Sequence, residues 1–210
     1  MTAPAKRAEA VVAAVREREL DALLVSRLVD VRWLCGFTGS SAAAVVGPAD
    51  RRFVTDFRYL TQAREQVGEG WDHEIAQKLL EQVAEGLRPP ARLGFDDTDL
   101  TVKDHARLGE LVPEGVELVA AGGVIADLRT VKDAGELERI RAAAALADDA
   151  LTEVLDRGLV GRTEREVALD LEVAMRRRGA QGASFAPIVA AAEHGALPHA
   201  EPRDVGIPAD

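Results

Sequence analysis

The sequence predicts an α/β domain in which helices flank a mixed sheet, followed by the incomplete start of a second domain. Three observations carry that prediction. Short apolar runs of strand length alternate with segments of helical period from the N-terminus to about Leu128. A hairpin sits among them, and a hairpin among crossover connections implies both parallel and antiparallel pairs in one sheet. Beyond Lys132 the texture changes to two long helices and one strand-like run, too little apolar surface to form a domain alone.

Residues 5–19 place Val11, Val12 and Val15 at helical spacing, and Ala22-Leu23-Leu24-Val25-Ser26 is an apolar run suited to a buried strand. A helical turn over residues 29–34 leads into Gly36-Phe37-Thr38-Gly39, where two glycines permit a tight backbone path. Residues 42–46 and 52–55 read as strands joined by the turn-forming Gly47-Pro48-Ala49-Asp50, which makes the hairpin. Residues 57–67 look helical, 71–75 form a strand, and 77–87 are a second helical pattern closed by Pro89 and Pro90. Strands at 92–95 and 116–119 flank a helix capped by Thr101, with Asp104 in its first turn. The boundary falls within residues 126–132, giving domains 1–128 and 129–210.

Asp133 and Glu136 then cap a long helix with Leu137, Ile140, Ala144, Ala147, Leu151 and Val154 on one apolar stripe. Thr163 and Glu166 form a capping box for the next helix, with Val167, Leu171 and Met175 on its apolar face. Arg176-Arg177-Arg178 before Gly179 complement its C-terminus. Residues 188–192 look like the start of a strand, and the tail from Pro198 has little capacity to form a core.

Hydrophobic residues make up 47% and charged residues 30% of the 210 positions, a globular balance far from that of disordered chains. Asp and Glu outnumber Lys and Arg by 36 to 26, and a net charge of -10 repels a phosphate backbone, so no nucleic-acid partner is expected. Residues 1–10 contain Lys6, Arg7 and Glu9 but no apolar signal core, and no run of about 18 apolar residues occurs. The expectation is a cytoplasmic protein without a membrane partner. Cys35 is the only cysteine, which excludes an intrachain disulfide or a multi-cysteine metal cluster and suits a reducing compartment.

Most candidate motifs have a plain structural account. His194 and His199 stand five apart, and Gly195 and Pro198 forbid the helix that a zinc-binding i, i+4 pair needs, so both read as structural or exposed. His73-Glu74 opens like a zincin motif, but Gln77 and Lys78 occupy the next turn where the second histidine would stand. The segment 36–41 lacks the Gly-Lys-Ser/Thr ending of a phosphate loop and reads as a tight turn. Asp56, Arg58 and Tyr59 follow a strand, where sheets display functional side chains, although a salt bridge closing the strand end is the simpler account. Cys35, Trp33, Phe37 and Trp71 read as core residues.

The order of segments is more specific than any one of them. Leu20 to Leu24, then Asp30-Val31-Arg32-Trp33-Leu34-Cys35-Gly36-Phe37-Thr38-Gly39-Ser40, then Thr55-Asp56-Phe57-Arg58-Tyr59 with Gln62-Ala63 resemble the N-terminal domain of the creatinase and aminopeptidase P family. Leu128-Arg129-Thr130-Val131-Lys132, with Glu136, Ile140, Arg141 and Ala143, is similar to the segment where that family's catalytic α+β pita-bread domain begins. Gly161-Arg162-Thr163-Glu164, Gly179, Ser184-Phe185, Ile188-Val189 and Leu197-Pro198-His199 continue the similarity in order, over nearly the whole chain.

The resemblance implies a proline-specific metallopeptidase, an aminopeptidase or dipeptidase that hydrolyses the bond before proline. It implies two divalent metals, manganese, zinc or cobalt, held by two aspartates, a histidine and two glutamates in the full-length relative. It matches His199 to a histidine that contacts substrate and is not a metal ligand. It gives Asp56, Arg58 and Tyr59 a place at the substrate pocket or a subunit contact, and it implies a homodimer. The expected metal-binding aspartates would follow a strand just after residues 206–210; Asp210 falls in the turn before it, and no later histidine or glutamate is present. The chain is therefore expected to be the N-terminal part of the enzyme, with no metal ligands and no activity of its own. Glu193-His194 departs from the small residue and asparagine that relatives commonly carry there. Two alternatives are a non-catalytic binding or oligomerisation module, which the stripe from Leu137 to Val154 motivates, and a hydrolase of a creatine-like, non-peptide substrate.

Overall fold

The innermost strand explains why a sheet forms. In β1 (Ala22–Val25), Leu23 and Val25 enter one apolar cluster while Ala22 and Leu24 enter the opposite one, so every residue is buried. Strands covered on both faces read as continuous apolar runs rather than alternating ones. β2 (Ala42–Val46) behaves alike, with Ala42, Ala44 and Val46 on one side and Ala43 and Val45 on the other. The computed structural model describes residues 3–89 and 91–209 and divides into two units, Met1–Val131 and Lys132–Asp210.

The first unit is a six-stranded mixed sheet in the order β4-β3-β2-β1-β5-β6, completed by β3 (Arg51–Thr55), β4 (Asp72–Ile75), β5 (Ala91–Phe95) and β6 (Val116–Ala120). β2 pairs antiparallel with both β1 and β3; the β1–β5, β3–β4 and β5–β6 pairs are parallel. On one face lie α1 (Ala3–Glu17), α2 (Leu28–Cys35), α3 (Leu60–Gln66) and α6 (Val124–Thr130), around Val11, Leu34, Phe37 and Phe53. On the other lie α4 (Leu79–Glu85) and α5 (Val102–Leu111), around Leu24, Val54, Leu93 and Leu108. Cys35 and Phe37 are fully buried as expected, whereas Trp33 and Trp71 pack against the core from half-buried positions.

Three local expectations are corrected in this unit. Residues 57–67 are not one helix but a 3-10 turn (Phe57–Tyr59) followed by α3, because the Asp56 carboxylate accepts from the Arg58 amide and starts a turn before the α-helix can. The boundary segment expected over residues 126–132 is helical through residue 130, as part of α6, whose Val124 and Ile125 are buried in the core. The helix expected over residues 77–87 is the shorter α4, with Gly86 as its C-cap ahead of Pro89; Pro90 lies outside the described residues.

In the second unit both predicted capping boxes form. Asp133 and Glu136 open α7 (Ala134–Asp156), and Thr163 and Glu166 open α8 (Glu164–Arg177). Gly179 adopts the left-handed φ of +100° expected after a helix end. The apolar stripe of α7 is not buried as a whole: α8 and the following chain cover Ala150 and Val154, while Leu137, Ile140 and Leu151 are 40%, 52% and 47% exposed. Periodicity marks which face is apolar but not how far a neighbour reaches along it. Residues 188–192 form no strand, since extended backbone needs a ladder partner and none is present among the described residues; the one isolated bridge joins Thr163 to Gly206. Among the described residues no helix is long and apolar enough to cross a membrane.

Candidate functional site

Two polar groupings stand out, one in each unit. In the first, β3 delivers Asp56 to the end of the sheet, where its side chain is nearly buried. Arg58 donates to it as a fork, Nε to Oδ1 at 2.9 Å and Nη2 to Oδ2 at 2.7 Å, while the Arg58 amide caps at 3.0 Å. These bonds, the Arg58 guanidinium first, hold the Asp56 carboxyl well below the usual carboxylate range against the opposing effect of burial. The Tyr59 hydroxyl lies 2.6 Å from Ser40 Oγ, a bond that pulls the phenol below its ordinary value.

The loop that carries Ser40 is fastened on both sides. Gln66 accepts from the Thr38 amide at 2.9 Å, and Gln62 and Gln66 both donate to the Thr38 hydroxyl. Gly36 closes α2 at φ +89°, and a side chain at Gly39 would collide with the rings of Phe37 and Tyr59. Sequence reasoning placed Asp56, Arg58 and Tyr59 together, and the structure brings them together; the Thr38–Gln62–Gln66 network had no sequence signature. Arg58 and the Phe57 ring are largely exposed beside Tyr59. Asp56 is committed to Arg58, which leaves no free carboxylate in this grouping to carry a proton.

In the second unit the centre is Glu164, the first residue of α8, only 1% exposed. Its carboxylate accepts from the Ala191 amide at 2.8 Å, His194 Nδ1 at 2.9 Å, the Arg203 amide at 3.0 Å, and Arg203 Nε and Nη2 at 3.1 Å each. An ionised carboxylate only accepts, so His194 Nδ1 carries the proton. The Arg203 fork, reinforced by the Ala191 and Arg203 amides and His194, holds the Glu164 carboxyl far below its ordinary value despite burial. His194 is thus a structural histidine, and His199 sits exposed on the loop that starts and ends at this carboxylate. Sequence reasoning did not single out Glu164 for a role: an acid in the first turn of a helix normally complements the dipole at the surface, and nothing in the sequence marks this one as buried.

The first unit's sequence settles the family. Residues 7–131 match the creatinase/prolidase N-terminal domain. The chain belongs to the creatinase/prolidase family. Residues 138–210 match metallopeptidase family M24, so the resemblance to creatinase and aminopeptidase P holds in both units. The family chain is 34% identical over 86% of its length to an uncharacterized peptidase of Bacillus subtilis, and 27% identical over 96% of its length to an Xaa-Pro dipeptidase of Pyrococcus furiosus. It covers 51% and 57% of those proteins, about half the length of the curated relatives it matches. Among solved structures, an Xaa-Pro dipeptidase from Bacillus anthracis superposes with a TM-score of 0.89 at 29% identity, over 98% of this chain and 58% of that one. The fold is accordingly a creatinase-like mixed sheet followed by part of a pita-bread peptidase domain.

The family's metals do not fit the residues described. Among them no group of three or more His, Cys, Asp or Glu side chains converges to hold an ion, and the Glu164 carboxylate beside His194 is saturated by Arg203 and backbone amides. Asp210 lies outside the described residues.

Proposed function

We propose that this chain supplies the N-terminal domain and the first part of the catalytic domain of an Xaa-Pro peptidase, an aminopeptidase or dipeptidase that hydrolyses the bond before proline. The observation supporting this is the superposition of 98% of the chain on an Xaa-Pro dipeptidase with a TM-score of 0.89. In this reading His199 contacts substrate, and Arg58, Tyr59 and Asp56 line the substrate pocket or a subunit contact of a cytoplasmic homodimer. Two divalent metals, manganese, zinc or cobalt, act in the longer form on ligands outside this chain. The chain's own residues bind and position; they do not activate water, and residues 1–210 alone do not turn over.

The test is hydrolysis of Xaa-Pro dipeptides and longer Xaa-Pro peptides, with added manganese, by this chain and by one extended through the coding sequence that follows residue 210. Turnover by the extended form alone is expected. Turnover by the 210-residue chain would overturn the inactive reading, and failure of the extended form on every proline substrate would overturn the peptidase reading; cleavage of a creatine-like substrate would then favour the non-peptide alternative. A second reading, a binding or oligomerisation module, draws on the exposed Leu137, Ile140 and Leu151. It requires a monodisperse oligomer of the 210-residue chain in sedimentation.

A further inference from the structure

Glu164 lies on α8, yet its bonds reach across 27 residues to Ala191 and 39 residues to Arg203. These two partners are the two ends of the loop that carries His199, so one carboxylate holds both stems. His194, inside the loop, adds a third attachment, and the Arg203 side chain closes the group as a planar fork. The outgoing chain is then laid along α8's entry: Glu164 N donates to Val205 O at 3.2 Å, Gly161 N to Ile207 O at 2.9 Å and Ile207 N to Arg162 O at 2.8 Å. Between the stems, Ala200 is the one residue that is buried. Leu197 is 56% exposed, and the 3-10 turn Ala192–Ala196 contains no buried residue. A buried ion pair is seldom a net source of stability compared with apolar packing, but it fixes one geometry among several.

We propose that Glu164 is a positioning residue, a clasp that closes the base of the 191–203 loop and thereby sets where His199 is presented. The role assigned to His199 rests on the peptidase reading above; the clasp itself does not. Three amides inside the loop report on it without touching Glu164: His194 N donates to Ala191 O, Leu197 N to His194 O and Ala200 N to Leu197 O. Their exchange depends on loop order, not on the substituted bonds.

Hydrogen–deuterium exchange is measured on the 210-residue chain as wild type, Glu164→Gln and Arg203→Gln. Glu164→Gln presents an amide N–H₂ to donors and is expected to speed exchange of these three amides by about tenfold or more, with α7 and α8 unchanged. Arg203→Gln, which keeps the backbone bond, is expected to give a smaller rise in the same segment. Unchanged exchange in the loop overturns the proposal. A rise spread evenly through α7 and α8 in both variants also overturns it, since that is general destabilisation. Should Glu164→Gln not fold, Arg203→Gln is judged by the same outcomes. In the extended protein, Glu164→Gln is expected to lower kcat/KM for Xaa-Pro substrates alongside His199→Ala. Absence of any wild-type hydrolysis there would sink the peptidase reading while the exchange result still decides the clasp.

Discussion

Replacing Gly39 by alanine tests how the first polar grouping is held. A methyl group there would lie 2.2 Å from Phe37 Cζ, 2.6 Å from Cε1 and 2.9 Å from Tyr59 Cδ1, all well inside carbon–carbon contact distance. Phe37 cannot yield freely, because it is 1% exposed and meets Phe53 edge-on at 4.9 Å and Tyr59 at 5.4 Å. Turning the ring away sacrifices two aromatic pairs worth about 0.5–1.5 kcal/mol each. That matches the roughly 1–3 kcal/mol typical of overpacking. The backbone conformation at Gly39 is open to alanine, so reduced freedom of the unfolded chain returns about 0.4–1 kcal/mol. The net expectation is a destabilisation of about 1–2 kcal/mol. Urea unfolding followed by tryptophan fluorescence measures it, since both tryptophans, Trp33 and Trp71, lie in the first unit. Gly68→Ala is the control: nothing lies within 4 Å of its added carbon, and it should be neutral or slightly stabilising. A spectrophotometric titration of Tyr59, the only tyrosine, should show its phenol moving back toward 10 in Gly39→Ala as the Ser40 bond loosens. If Gly39→Ala unfolds within about 0.5 kcal/mol of wild type at unchanged m-value, the packing argument is wrong.

Other expectations concern the thiol and the second unit. Burial pushes the Cys35 thiol up to about 11, so at pH 8 it should resist a thiol reagent until the first unit opens; rapid labelling of the folded protein would contradict its placement. Thr163→Ala removes the cap of α8 and should cost about 1 kcal/mol, read as the loss of helical circular dichroism in denaturant; no change would mean the box is ornamental. Because the folded Glu164 carboxyl titrates below its ordinary 4.5, the stability it contributes is complete above that pH and drains away as pH falls toward the depressed value. The difference in exchange of the His194, Leu197 and Ala200 amides between wild type and Glu164→Gln should therefore be flat at neutral pH and shrink in acid, and a difference that widens in acid would reverse the sign.

Much of the molecule was legible because its signals are local. Strand-length apolar runs, the Gly47-Pro48 turn and the two capping boxes all name their elements from a few neighbouring residues. The misreadings came where a distant partner decides. Residues 188–192 have strand composition, but a strand exists only when another pairs with it, and of the predicted α7 stripe only Val154 is buried, beside Ala150, where neighbours reach the helix. Asp56, Arg58 and Tyr59 were visible as neighbours in sequence, whereas Thr38 and Gln66 meet across 28 residues.

The sequence alone determined the mixed α/β architecture of the first unit, the order of its elements and the family, because periodicity, caps and the succession of motifs are properties of the linear chain. Tertiary structure alone decided that Glu164 is buried, that Ala191, His194 and Arg203 converge on it, and that His199 is left exposed between their attachments. The physical reason is that a carboxylate leaves water only when enough donors surround it, and those donors arrive from positions far along the chain.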